Sequence, residues 1–88
     1  MPEFLLEQYI ASTDAHAVAL AAERARSGAA AVSTEDSPVR YLRAIFVPED
    51  ETCLLLFEAG SAGAVRAAAL ASGLRADRVV AAFTEAAP

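Results

Sequence analysis

The sequence predicts an α+β domain with the element order β-α-β-β-α-β. Four short segments rich in aromatic and branched residues have the length and alternation that are typical of strands. Two alanine-rich segments of helical length each follow residues that cap helix N-termini. A turn rich in proline and acidic residues separates the two middle strands and makes them a hairpin.

The first half of the chain is predicted as a strand followed by a helix. Residues 4–10 form the strand, because they are too few for a helix and carry aromatic and branched side chains. Residues 12–14, Ser-Thr-Asp, offer the helix an N-cap, and the alanine-rich run then continues to Ser27. Gly28 is expected to end this helix, since glycine is common just past a helix C-terminus.

The second half is predicted as a hairpin, a helix and a last strand. Residues 48–51 form the turn between strands over 39–47 and 52–58. Ser61 caps the second helix, and Gly73 ends it.

The last strand is expected over 78–84. We expect a single domain over residues 1–85 and a C-terminal tail over 86–88. This order is the ferredoxin-like arrangement. Right-handed crossovers place strands one and three in the centre of a four-stranded antiparallel sheet, with both helices on one face.

Composition excludes several classes of protein. The 88 residues are 56% hydrophobic, which is enough for a core and excludes a disordered chain. Twelve acidic residues stand against seven arginines and no lysine, so no basic surface for nucleic acid or an anionic membrane is expected. No segment resembles a signal peptide or a membrane span, and the single cysteine permits no internal disulfide. We therefore expect a cytoplasmic protein.

Alternation along the strands predicts which side chains face away from the helices, on what we call the open face. This face should be too apolar to remain in water, so we expect a second copy to cover it and form a homodimer. Polar groups between the two sheets would then line a ligand chamber. The residues assigned to the open face are Leu5, Ile45, Leu54 and Leu56, together with the polar Glu7, Tyr9, Tyr41, Arg43 and Glu58.

The polar residues of the open face allow three interpretations. A four-residue turn would set Tyr41 opposite Glu58, and Glu7 or Glu58 with Arg43 would form an ion pair that neutralises a dimer interface. Alternatively, a partly buried carboxylate acts as a general acid or base beside a tyrosine. The third interpretation is that these residues ligate a metal or bind a ligand without reacting with it. The spacing of the polar residues in the sequence does not decide among the three interpretations.

Two longer motifs resemble a family of small bacterial proteins of largely unknown function. They are Met1–Glu7, MPEFLLE, and the more distinctive Tyr41–Cys53, YLRAIFVPEDETC. The match continues through Leu56–Ala59, Ala64–Arg66, Gly73–Leu74 and Arg78–Val80.

That family includes a nickel-responsive, nickel-binding homodimer with a ferredoxin-like fold. The resemblance therefore implies a dimeric α+β barrel, and it makes nickel a candidate cofactor. The resemblance also implies that four polar residues of the shared motifs recur in the family: Glu7, Tyr41, Arg43 and Glu58. The single histidine, His16, lies outside the shared motifs and is the one candidate metal ligand of its type.

Three functions follow as hypotheses. The first is a homodimeric binding protein that holds a metal ion or a small organic ligand with Glu7, Tyr9, Tyr41, Arg43 and Glu58. The second is a cofactor-free isomerase, cyclase or oxygenase in which Glu7 or Glu58 moves a proton and Arg43 steadies an anion. The third is a structural module whose open face binds another protein.

Overall fold

The computed structural model describes residues 1–85 and confirms the predicted order of elements. The predicted tail over 86–88 lies outside the described residues. No helix in the described part has the length and apolar character needed to cross a bilayer. The elements are β1 (Glu3–Tyr9), α1 (Ala15–Val32), β2 (Arg40–Val47), a 3₁₀ turn (Pro48–Asp50), β3 (Thr52–Glu58), α2 (Ala62–Ser72) and β4 (Arg78–Ala82).

The strands form one antiparallel sheet in the order β2-β3-β1-β4, with β1 and β3 in the centre as predicted. β1 pairs with β3 from Glu3 opposite Glu58 to Tyr9 opposite Thr52. β4 pairs with the other side of β1, and β2 pairs with the other side of β3. The ferredoxin-like arrangement is therefore confirmed.

The core lies between the sheet and the two helices. Alternate residues of the central strands face it, and Leu6, Leu55 and Phe57 have no exposed surface. Small alanines from α1 and α2 complete the same cluster, which lets the helices approach the sheet closely. Burying one such large side chain stabilises the fold by about 1.5–3 kcal/mol.

Gly28 does not end α1, which was a wrong prediction. It is buried inside the helix, and α1 continues four residues further to Val32. A Cβ atom at Gly28 would overlap the carbonyl oxygen of Ala68 in α2, and it would lie 2.8 Å from Oγ of Ser72. Glycine is present here because the two helices touch at this point, and not because the helix stops.

The caps predicted for α2 are confirmed. Oγ of Ser61 accepts a hydrogen bond from the backbone N–H of Ala64 at 3.2 Å. Gly73 has a left-handed φ of 70°, which glycine adopts without steric cost. The N–H of Leu74 donates to the carbonyl oxygen of Ala69 at 2.9 Å, and the Leu74 side chain is buried. These bonds satisfy backbone groups that the helix ends leave free.

The hairpin turn is anchored to the loop between β1 and α1. Glu51 closes the 3₁₀ turn with a left-handed φ of 48°. Its backbone carbonyl accepts the N–H of Ile10 at 3.0 Å, and its carboxylate accepts the N–H of Ser12 at 2.8 Å. The turn therefore fixes the end of β1, where several of the candidate site residues lie.

Candidate functional site on the open face

The open face has an apolar centre, as predicted. Leu5 and Leu56 are paired across β1 and β3, and Val80 of β4 lies beside Leu5 in the same row. Leu56 is only 5% exposed although no helix covers this face, because its neighbours on the sheet shield it. Ile45 on the edge strand β2 is 46% exposed. A partner that covered this face would remove apolar surface from water.

Tyr41 does not lie on the open face, and this corrects the predicted alternation of β2. The register of β2 against β3 shifts by one residue between Tyr41 and Arg43, so Tyr41 pairs with Phe57 on the helix side. The two rings meet edge to face with centroids 5.7 Å apart. Leu42 falls within the shift and is not among the side chains packed on the core.

The surroundings of Tyr41 make it a structural residue. The Arg26 guanidinium lies 5.6 Å from the centre of its ring, which is cation–π geometry. Burial raises the pKa of the Tyr41 phenol above its ordinary value of 10.0, although the charge of Arg26 acts in the opposite direction. A neutral phenol held between α1 and β3 is not available to a ligand on the open face.

Arg40 takes the place opposite Glu58 that alternation had assigned to Tyr41. Its Nη1 lies 3.2 Å from Oε1 of Glu58, and the two groups form an ion pair. Sequence reasoning missed Arg40 because an irregularity in strand pairing leaves no mark in the pattern of side chains. Glu58 therefore forms an ion pair, but its partner is Arg40 and not the predicted Arg43.

Glu7 is also held by an arginine that sequence reasoning missed. Oε2 of Glu7 lies 3.4 Å from Nε of Arg78, its neighbour on β4. The predicted start of the last strand at residue 78 was the signal that could have placed Arg78 here. Both carboxylates that were candidates for proton transfer thus have a guanidinium partner within the chain.

Tyr9 lies at the end of β1, and its backbone is firmly fixed. Its N–H donates to the Asp77 carboxylate at 2.8 Å, and its carbonyl oxygen accepts from Nη2 of Arg75 at 2.8 Å. A shallow cavity of about 340 Å³ brings Glu7, Tyr9 and Arg78 together at this end of the open face, and the acidic residues Glu51 and Asp77 line it as well. Of the predicted site residues, the structure gathers these two, Glu7 and Tyr9, into one cavity.

Arg43 lies outside that cavity. It stands opposite Leu56 at the edge of the sheet, and within residues 1–85 it forms no ion pair. A guanidinium without a carboxylate partner beside apolar side chains is a free recognition group for an anion.

Charge on the open face follows the strand order. The arginines lie on the edge strands β2 and β4, and the glutamates lie on the central strands β1 and β3. Among the strand residues of the described chain, three arginines balance three glutamates. The residues outside the strands therefore carry the whole formal net charge of −5. The balanced residues are Arg40, Arg43 and Arg78 against Glu3, Glu7 and Glu58.

His16 and Cys53 do not join the open face. His16 is exposed in the first turn of α1, on the other side of the sheet. Cys53 is fully buried in the core, and burial raises the pKa of its thiol. In the part of the chain described, no group of three or more histidine, cysteine, aspartate or glutamate residues is arranged to hold a metal ion. A nickel site that includes His16 would need ligands from a second copy.

Comparisons with protein-family models, with curated proteins and with solved structures found no match to this chain. The fold and the geometry of the open face therefore carry the argument about function.

Proposed function

We propose that the protein is a homodimeric binding protein whose two open faces meet and enclose a small ligand. The observation that carries this proposal is the balance of charge on the open face of a chain whose net charge is −5. Two copies repel one another across every acidic surface, and the neutral open face is where they approach at the lowest electrostatic cost.

The layout of those charges also suits a second copy. In a symmetric dimer each face contacts the same face of its partner, so the face must be complementary to itself. Arginines on the edges and glutamates in the centre supply both signs on one surface. Leu5, Ile45 and Leu54 supply the apolar contact between them. The family that the sequence resembles includes a homodimer, and this supports the proposed dimer.

Sedimentation tests the dimer. We expect a mass of twice 9.1 kDa for the chain. Ile45→Glu places a charge in the proposed interface and should give monomers. Leu20→Glu is the matched control, because Leu20 on α1 is 42% exposed against 46% for Ile45 but lies on the helix layer. A wild-type monomer, or equal dissociation by both variants, contradicts the proposal.

The proposed ligand position is the cavity that Glu7, Tyr9 and Arg78 share, closed by the partner's open face. Nickel, zinc and magnesium are titrated calorimetrically into tag-free protein. Heat of nickel binding that is lost in Glu7→Gln and kept in the exposed-turn variant Glu49→Gln supports this position, whereas heat that is lost only in His16→Ala, on the helix side of the sheet, contradicts it. If no metal gives heat, the ligand of this proposal is organic. If all three variants keep the calorimetric heat of metal binding, the proposed ligand position is wrong.

A further inference from the structure

A second cleft lies beside α1 at the end of β1, and it shares Gln8 and Tyr9 with the cavity of the open face. It is bounded by one face of α1, by the end of β1 and by the loop that follows α2. Its volume is about 310 Å³, which is near the lower end of the range of small-molecule sites, roughly 300–1,000 Å³. The helix layer forms one wall, so contact between two open faces leaves the cleft accessible.

The exposed lining of the cleft is mostly polar, and its apolar floor is narrow, since Ala21 is 4% and Leu74 is 6% exposed. Ala17 and Ala21 lie one turn apart on α1, and Leu74 faces them from the loop after α2. A side chain larger than the methyl group of Ala17 would occupy part of the cleft. Leu20 stands at the rim and is 42% exposed. A ligand with an apolar body would cover it.

Two arginines lie at the cleft, and they differ in their surroundings. Arg75 is held by Asp77, with its Nε 3.1 Å from Oδ1, and its Nη2 donates to the backbone carbonyl of Tyr9. Arg24 lines the cleft from α1 and forms no ion pair within residues 1–85. Asp14, the acidic residue among the lining groups, is engaged in capping α1 through the N–H of Ala17.

We propose that this cleft binds a small organic anion with a compact apolar body. Its carboxylate or phosphate group pairs with Arg24, beside the fixed guanidinium of Arg75, and its body lies on Ala17, Ala21 and Leu74. A guanidinium presents several N–H donors in a planar fork that matches either anion. The site does not depend on dimerisation, and so it stands apart from the function proposed above.

Amide NMR spectra of the full chain test the site at fixed ionic strength with four probes. Benzoate and phenyl phosphate carry both the anion and the apolar body, benzamide lacks the charge, and inorganic phosphate lacks the body. We expect saturable shifts at the amides of Ala17, Leu20, Ala21 and Leu74 with benzoate or phenyl phosphate. Benzamide and inorganic phosphate should bind at least about tenfold more weakly, because benzamide lacks the charged group and inorganic phosphate lacks the apolar body. The tighter of the two aryl anions identifies the preferred head group.

Variants assign the shifts to the cleft. Arg24→Gln should weaken aryl-anion binding about tenfold. Arg66→Gln, an equally unpaired arginine on α2 outside the cleft, should leave it unchanged. Ala17→Leu should abolish binding while the remaining amide spectrum keeps its dispersion. The proposal is overturned if benzamide binds as well as benzoate, if the shifts do not saturate, or if the two arginine variants weaken binding equally.

Discussion

Replacing Gly28 by alanine tests the contact between the helices. Inside a helix this change is ordinarily favourable by about 1 kcal/mol, because glycine loses more backbone entropy on folding. Here the new methyl group would overlap the carbonyl oxygen of Ala68 and crowd Oγ of Ser72. A backbone carbonyl cannot rotate away, so α1 and α2 must separate.

The magnitude follows from these two opposing effects. Overpacking a core costs about 1–3 kcal/mol, and we take the upper value because backbone meets the added atom. Subtracting the helical gain leaves a net loss of about 2 kcal/mol in the free energy of unfolding. For a domain of this size, that corresponds to a fall in Tm of about 8–16 °C.

Urea denaturation at one protein concentration measures the effect, since the proposed dimer would make the stability depend on concentration. Gly63→Ala is the control. Gly63 is exposed in α2, and a Cβ there meets no atom closer than 3.7 Å, so this variant should gain about 0.5–1 kcal/mol. The reasoning about the helix crossing is refuted if Gly28→Ala is as stable as the wild type, or if both variants shift in the same direction.

Three further predictions concern single groups. Burial raises the pKa of Tyr41, so ionisation favours the unfolded chain: its contribution to stability is complete below pH 10.0 and is lost as pH rises through the folded pKa. In Tyr9→Phe, ultraviolet titration of the remaining tyrosine should show a midpoint above 10.0, and a midpoint at or below that value would disprove the burial argument. Ser61→Ala should cost about 1 kcal/mol in urea denaturation through the lost N-cap, and an unchanged stability would show that the cap contributes nothing. Glu58→Gln should cost less than about 1 kcal/mol, because Arg40 is mostly exposed, and a larger loss would mean that the pair is shielded from water.

The fold was predictable from the sequence because its signals are local. The caps at Ser61 and Gly73 act within one turn of helix, and the apolar run of β3 is contained within residues 52–58. Gly28 was misread since a glycine after an alanine-rich run has the same local signature whether the helix stops or crosses another helix. Only the position of α2 separates the two cases.

The candidate site was less predictable because it depends on pairing between strands. One shift of register in β2 moved Tyr41 to the core and brought Arg40 to the open face, and no residue type marks that shift. Glu7 and Tyr9 were placed correctly since β1 alternates without interruption. Their neighbour Arg78 was marked by the predicted start of the last strand, but its contact with Glu7 depends on the pairing of β4 with β1.

The position of β1 in the middle of the sheet has a consequence for the order of folding. β1 precedes both of its partners in the sequence: β3 pairs with one of its edges and β4 with the other. The β2–β3 hairpin joins neighbours in sequence and loses little loop-closure entropy, whereas β1 reaches β3 only across α1 and β2, and β4 only across most of the domain. During synthesis β1 therefore stays unpaired until β3 has emerged, and its second edge stays open until β4 has emerged. Its apolar side chains are exposed throughout that interval, and a nascent chain is most open to wrong strand partners during it.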